Sequence, residues 1–358
     1  MRRAWILVIG CAGCLSAISP SGSSATGGGA ADLAVGGGNG SGGGASNGNG
    51  GGSGGGGSDA PADMSASVDA GAGLAPGTLA VSWMHGQADC SKSTDPELQM
   101  LQYNANTYIL RQDKCRTFEA PFVYVLLGSK SALLLDTGDT TSAGIHDKVV
   151  TLIGSRPLLV AHTHAHGDHV DSDDKFSGQP NTTVVAHTVA AVQAAFGIAT
   201  WPTSQGALDL GDRVLDVIAI PGHETTHVAL YDRQTGILLT GDTLYPGLLF
   251  VSDWTAYRAS VARLQQFAAS RPISHVLGAH IEMTATPTVN YAYGTTYQPN
   301  EHVLELAASH LAELNDALTA LGPTAPTSSR VSQCQNEPRP LDAGCAMIVH
   351  DDFVIDPQ

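Results

Sequence analysis

Nineteen of the 42 glycines lie between residues 22 and 57, interleaved mainly with Ser, Asn and Ala, and Leu33 and Val35 are the only large apolar side chains there. Such a stretch buries too little apolar surface to offset the entropy of ordering it. The sequence therefore predicts a flexible tether over residues 26–76 rather than a second domain. A core must come from residues 77–322, roughly 245 residues of ordinary apolar content, which suffices for one substantial core. Residues 323–358, rich in Pro and Ser at their start, are expected to form a C-terminal tail.

Ahead of the tether, Arg2 and Arg3 precede an apolar run from Ala4 to Ile9 that is too short for a permanent membrane span. Residues 1–25 read as an export signal. Val8-Ile9-Gly10-Cys11 resembles a bacterial lipobox, in which the cysteine becomes lipid-modified; cleavage after Ala25 is the alternative. The expected location is the periplasm or the cell surface, with the lipid anchor as the only membrane contact. Cysteine usage agrees with an oxidising compartment: outside the signal stand Cys90, Cys115, Cys334 and Cys345, none in CxxC spacing. Local pairing, Cys90 with Cys115 and Cys334 with Cys345, is the economical arrangement, and the first loop is worth roughly 3 kcal/mol by chain entropy. The 33 acidic against 17 basic residues include no Lys- or Arg-rich run, so nucleic acid is not an expected partner and a small-molecule substrate is.

The chemistry concentrates in Ala-His-Thr-His-Ala-His-Gly-Asp-His-Val, residues 161–170. An apolar strand, Pro157 to Val160, runs into it, which puts the histidines at a strand end and its loop. Alternate residues of an extended chain point the same way, so His164 and His166 converge. Asp168 and His169 are adjacent and need a second point of convergence. Two such points imply two metal ions, and neutral imidazole with carboxylate is the ligand set of zinc. More ligands must then come from downstream strand ends. Val217-Ile-Ala-Ile-Pro-Gly-His223, Ile237-Leu-Leu-Thr-Gly-Asp242 and His275-Val-Leu-Gly-Ala-His280 each supply one. The strand candidates Phe122 to Leu127, Ser131 to Leu135, Thr183 to Ala186 and Val228 to Tyr231 alternate with helical patterns over Ile145 to Ile153, Thr188 to Phe196, Trp254 to Ala269 and Glu301 to Leu321. That alternation points to a layered α/β sandwich.

These residues resemble the metallo-β-lactamase superfamily: its HxHxDH motif as His164, His166, Asp168 and His169, then His223, Asp242 and His280, with Asp136 in Leu-Leu-Leu-Asp-Thr-Gly as its early aspartate. The resemblance implies a four-layer αββα sandwich with two Zn2+ ions. His164, His166 and His223 would hold one ion, Asp168, His169 and His280 the other, and Asp242 would bridge them. A metal-bridging hydroxide would then cleave an ester, lactone or thioester, with Asp168 passing the proton onward. Asp136 is expected to hold a ligand histidine. His227 and Tyr245 are further candidates near the ligands, whereas His162 and His187 read as structural, and His85 and Asp89 as a surface loop.

The bridging Asp242 points away from true β-lactamases and toward the glyoxalase II-like and lactonase-like branch; His166 stands where oxygen-reducing di-iron members carry Glu. Glyoxalase II binds glutathione with basic residues after the last ligand, and none occurs from Pro272 to Ser329, which favours an uncharged ester or lactone. The alternatives are a phosphodiesterase or β-lactam hydrolase on the same fold, and, from other classes, a metal-dependent redox enzyme or a non-catalytic metal-binding module. The sequence leaves the oligomeric state open.

Overall fold

The computed structural model describes residues 73–140, 142–325 and 351–357, with backbone pairing also at Ile6–Leu7 and Ile348–Val349. Cys11, the tether up to residue 72, and the expected Cys334–Cys345 pair lie outside the described residues. Two six-stranded sheets carry the architecture. The first runs in spatial order Leu98–Asn104, Thr107–Gln112, Phe122–Leu127, Ala132–Leu135, Leu158–Ala161 and Thr182–Val184. The second runs Glu305–Leu306, His275–Gly278, Ile237–Gly241, Val228–Asp232, Val214–Ala219 and Gln205–Asp209.

Strand periodicity explains how the layers assemble. Along Phe122–Leu127 every residue is buried, but alternate side chains face different cores. Phe122, Tyr124 and Leu126 enter the cluster between the sheets, while Val123, Val125 and Leu127 pack with Ile145, Val149 and Ile153 of the helix Gly144–Ile153. In the second sheet Leu215, Val217 and Ala219 face inward. Ile218 and Ala229 face outward onto the helices Trp254–Ala269 and Ser309–Leu321. The result is helix, sheet, sheet, helix: an αββα sandwich.

The expected strands Phe122 to Leu127 and Ser131 to Leu135, which pair antiparallel, and three of the four helices form where the sequence places them. The fourth helix begins at Ser309 rather than Glu301. Before it, buried Leu304 and Leu306 alternate with exposed Val303, partly buried Glu305 and exposed Ala307, a period of two, and Glu305–Leu306 closes the edge of the second sheet against Leu277 and Val276. The hairpin Leu98–Asn104 with Thr107–Gln112 escapes the sequence reading because its outer strand is half exposed and carries Gln99 and Gln102, which break up any apolar run. Cys90 and Cys115 are bonded, with Cα atoms 5.1 Å apart. Within the expected tail, Val354–Pro357 pairs in parallel with Leu248–Val251, and Phe353, Val354 and Ile355 are fully buried.

Two polar ties matter. Arg213 sits with its side chain wholly buried and donates to both carboxylate oxygens of Asp232 in the second sheet, and to Asn106 O and Thr107 Oγ1 at the hairpin turn of the first. Arg213→Ala would leave the buried Asp232 carboxylate with Gln234 N and Thr235 Oγ1 as donors but no cation beside it, and the expected loss is about 3–5 kcal/mol, read from urea unfolding.

The second tie is Asp352, which accepts from His302 Nε2 at 3.2 Å and His310 Nε2 at 2.8 Å. Burial disfavours charge on both histidines, but Asp352 outweighs it and raises them above 6.5, while they hold Asp352 below 3.8. Their contribution to stability is thus complete between 3.8 and 6.5, is lost as pH rises through the raised histidine values, and is lost again as pH falls through the lowered Asp352 value. Amide exchange in residues 354–356 should be slowest near pH 5–6 and quicken on either side, beyond the intrinsic pH dependence of exchange.

Candidate metal centre

The chain delivers its polar side chains at the C-terminal ends of strands along one edge of both sheets. Leu158–Ala161 leads to His164 and His166; the short helix Gly167–Val170 then curls Asp168 and His169 back onto the same edge. From the second sheet, Val214–Ala219 leads to His223, Ile237–Gly241 to Asp242, and His275–Gly278 to His280. Two glycines permit the approach. Gly222 has φ +145°, and a Cβ there would lie 2.3 Å from Tyr257 Cα; Gly241 has φ +51°, and a Cβ would lie 2.5 Å from His227 Nε2.

All seven expected ligands come together, in two groups. His164, His166 and His223 form one, and Asp168, His169, Asp242 and His280 the other, with one ligand atom per residue lying within 4.8 Å of the others in its group. His166 Nδ1 is 3.0 Å from both His164 Nε2 and His223 Nε2. Asp168 Oδ2 is 3.1 Å from His169 Nε2 and 3.2 Å from His280 Nε2. Asp242 stands between the groups: Oδ2 is 3.7 Å from His164 Nε2 and 3.5 Å from both His169 Nε2 and His223 Nε2, and Oδ1 is 3.4 Å from His280 Nε2.

The far side of each ring decides which nitrogen faces inward. His223 Nδ1 meets Phe250 O at 2.8 Å and His280 Nδ1 meets Glu119 O at 3.3 Å. A carbonyl only accepts, so in both rings Nδ1 carries a proton and Nε2 is the nitrogen that faces the centre. Asp136, fully buried and at φ 66°, accepts from Thr163 N at 2.7 Å and lies 3.0 Å from His169 Nδ1. Thr163 Oγ1 in turn touches His164 Nδ1 at 3.1 Å.

Charge follows from burial and neighbours. Burial holds His164 well below, and His223 below, the usual histidine value, which leaves both neutral. Asp168 and Asp242 stay ionised because the surrounding histidines outweigh the opposing effect of burial. Buried His169 Nε2 and Asp242 Oδ1 make no hydrogen bond despite these close approaches, an arrangement that normally costs about 1–3 kcal/mol per group. A cation among the lone pairs satisfies both atoms, so the donor set fits metal ions.

The remaining candidates sort clearly. His227 is buried against the His164 ring, 4.7 Å between centroids, and belongs to neither group. Tyr245 packs 5.5 Å from the His280 ring and spends its hydroxyl on Leu248 O and Glu282 Oε2. His85 and Asp89 line a different surface cleft. The cleft at the metal groups is also walled by Glu119, Phe250, Ser252, Glu282 and Tyr293. Phe250 comes from the strand Leu248–Val251 and the others from loops, and none belongs to a motif that marks it in the sequence.

The family model described as the metallo-beta-lactamase superfamily matches residues 116–280. Over 207 residues the chain is 26% identical to the acyl-coenzyme A thioesterase MBLAC2 of Gallus gallus, covering 45% of this chain and 72% of that protein. It is 29% identical over 133 residues to the hydroxyacylglutathione hydrolase of Anaeromyxobacter dehalogenans (strain 2CP-C), covering 37% of this chain and 49% of that protein. The chain thus spans about half the length of the hydroxyacylglutathione hydrolases it matches. The solved metallo-beta-lactamase from Pontibacter korlensis aligns at 18% identity and a TM-score of 0.42, over 62% of this chain and 99% of that one. The seven candidate ligands and the match to the metallo-beta-lactamase superfamily model fall on the same interval, residues 116–280, which is where the chain is similar to that family.

Proposed function

We propose that the protein is a dinuclear zinc hydrolase that cleaves an uncharged ester, lactone or thioester. The observation that carries this reading is the place of Asp242, whose two oxygens reach both groups of ligand atoms at 3.4–3.7 Å. His164, His166 and His223 would hold one ion and Asp168, His169 and His280 the other, with Asp242 shared. Zinc bound there lowers the pKa of water toward about 7 and polarises a carbonyl.

The chain's own residues do the rest. Asp168 is ionised and lines the cleft, so its carboxylate takes the proton of the attacking water and returns it to the leaving group. Phe250 and Tyr293 give the acyl group an apolar wall. Asp136 keeps His169 turned toward the centre, and Phe250 O and Glu119 O do the same for His223 and His280.

Two matched relatives are named for thioester substrates, acyl-coenzyme A and hydroxyacylglutathione. Both carriers are anionic. The cleft here is lined by Glu119, Asp168, Asp242 and Glu282, with neither Lys nor Arg among the lining residues. Thioester chemistry therefore fits this centre better than either anionic carrier does, and a neutral leaving group fits best.

Asp136→Asn weakens the pull on His169, and zinc affinity measured against a chelator should fall about 10–100-fold. For the reaction itself, kcat/KM should be about tenfold or more higher for an N-acetylcysteamine thioester than for the coenzyme A thioester of the same acyl group, an electrostatic preference of about 1.4 kcal/mol. Chelation should abolish turnover, Zn2+ should restore it, and His166→Ala should cost more than about 100-fold. Turnover that survives in His166→Ala removes the proposal.

A further inference from the structure

We infer that His162, Asp173 and His187 form a separate divalent-cation site behind the hydrolytic centre, built for zinc or a similar first-row ion. His162 Nε2 lies 2.8 Å from Asp173 Oδ1, and His187 Nε2 lies 2.8 Å from Asp173 Oδ2. One ligand atom from each residue lies within 4.8 Å of the other two, and the imidazole rings stand edge to face at 4.7 Å. None of the three lines the cleft of the two ligand groups described above. The site is therefore separate from that cleft, although His162 and His187 share a small cavity with His164.

The three side chains come from three elements. His162 follows the strand Leu158–Ala161, Asp173 opens the helix Asp173–Phe176, and His187 lies beyond the strand Thr182–Val184. Thr137 Oγ1 donates to Asp173 Oδ1 at 2.9 Å and fixes the carboxylate from behind. The His162 side chain is only 5% exposed and that of Asp173 17%, but His187 is 35% exposed, which leaves an entry and an open coordination position. Two imidazoles and a carboxylate with one open face is a donor set that zinc and neighbouring metals take.

Ligand atoms arranged tetrahedrally around zinc stand about 3.3 Å apart, given bonds of about 2.0–2.1 Å. The 2.8 Å contacts need open by only a few tenths of an ångström to admit the ion. Such an ion would act as a brace. Thr137, besides holding Asp173, donates its N–H to His169 O at 2.8 Å, so the site is tied to the segment that carries His164, His166, Asp168 and His169.

The test is zinc content of the full chain after equilibration with micromolar Zn2+ and dialysis, measured by elemental analysis. The wild type should retain three equivalents. His187→Gln keeps an N–H to donate to Asp173 but offers no imidazole, and Asp173→Asn keeps the shape without the charge; each should retain two. His166→Ala should lose zinc at the cleft while keeping the equivalent that His187→Gln removes. Two equivalents in the wild type, or three in both His187→Gln and Asp173→Asn, overturns the site. The first result leaves the hydrolase reading intact, whereas loss of hydrolysis in a wild type that holds three equivalents would strike that reading alone.

Discussion

Asp242 places one buried carboxylate within 3.7 Å of four imidazoles, two from loops of the first sheet and two from the second. An ionised carboxylate so enclosed is tolerable only if its neighbours compensate it. That requirement dictates the architecture. Both sheets must present strand ends at the same edge, in fixed register, and the core of Leu, Val and Ile side chains between them holds that register. Arg213 joins Asp232 to the hairpin turn and ties the same two sheets together.

Precision at the centre comes from behind the ligands. Asp136, Thr163, Phe250 O and Glu119 O each hold the outer nitrogen of a histidine, so ring orientation is settled by fixed scaffold atoms. The cleft walls share part of this scaffold. Ser252, Glu282 and Tyr293 come from loops, whereas Glu119 and Phe250, which also line the cleft, hold His280 and His223 through their carbonyls.

Five of the seven candidate ligands are legible because they come directly after apolar strands, and a strand end followed by a turn is a local pattern; Asp168 and His169 follow in the short helix Gly167–Val170. His223, with its Pro-Gly turn, and Asp242, after Ile237–Gly241, are examples. Where structure depends on distant partners, legibility fails. The strand Leu98–Asn104 is polar and half exposed, and pairing with Thr107–Gln112 rather than its own pattern makes it a strand. The residues from Glu301 to Leu306 have helix-like composition, yet the Arg111–Glu301 ion pair and pairing with Val276 and Leu277 keep the stretch out of the helix. Asp173 has no motif of its own, and its link to His162 and His187 emerges only when three elements meet.

The shared carboxylate can be tested by crystallography of the zinc-loaded chain with anomalous scattering at the zinc edge. Two peaks about 3.5–4 Å apart, one on either side of Asp242, are the predicted result. A single peak near His164, His166 and His223, or two peaks with Asp242 turned away from one of them, would contradict the account.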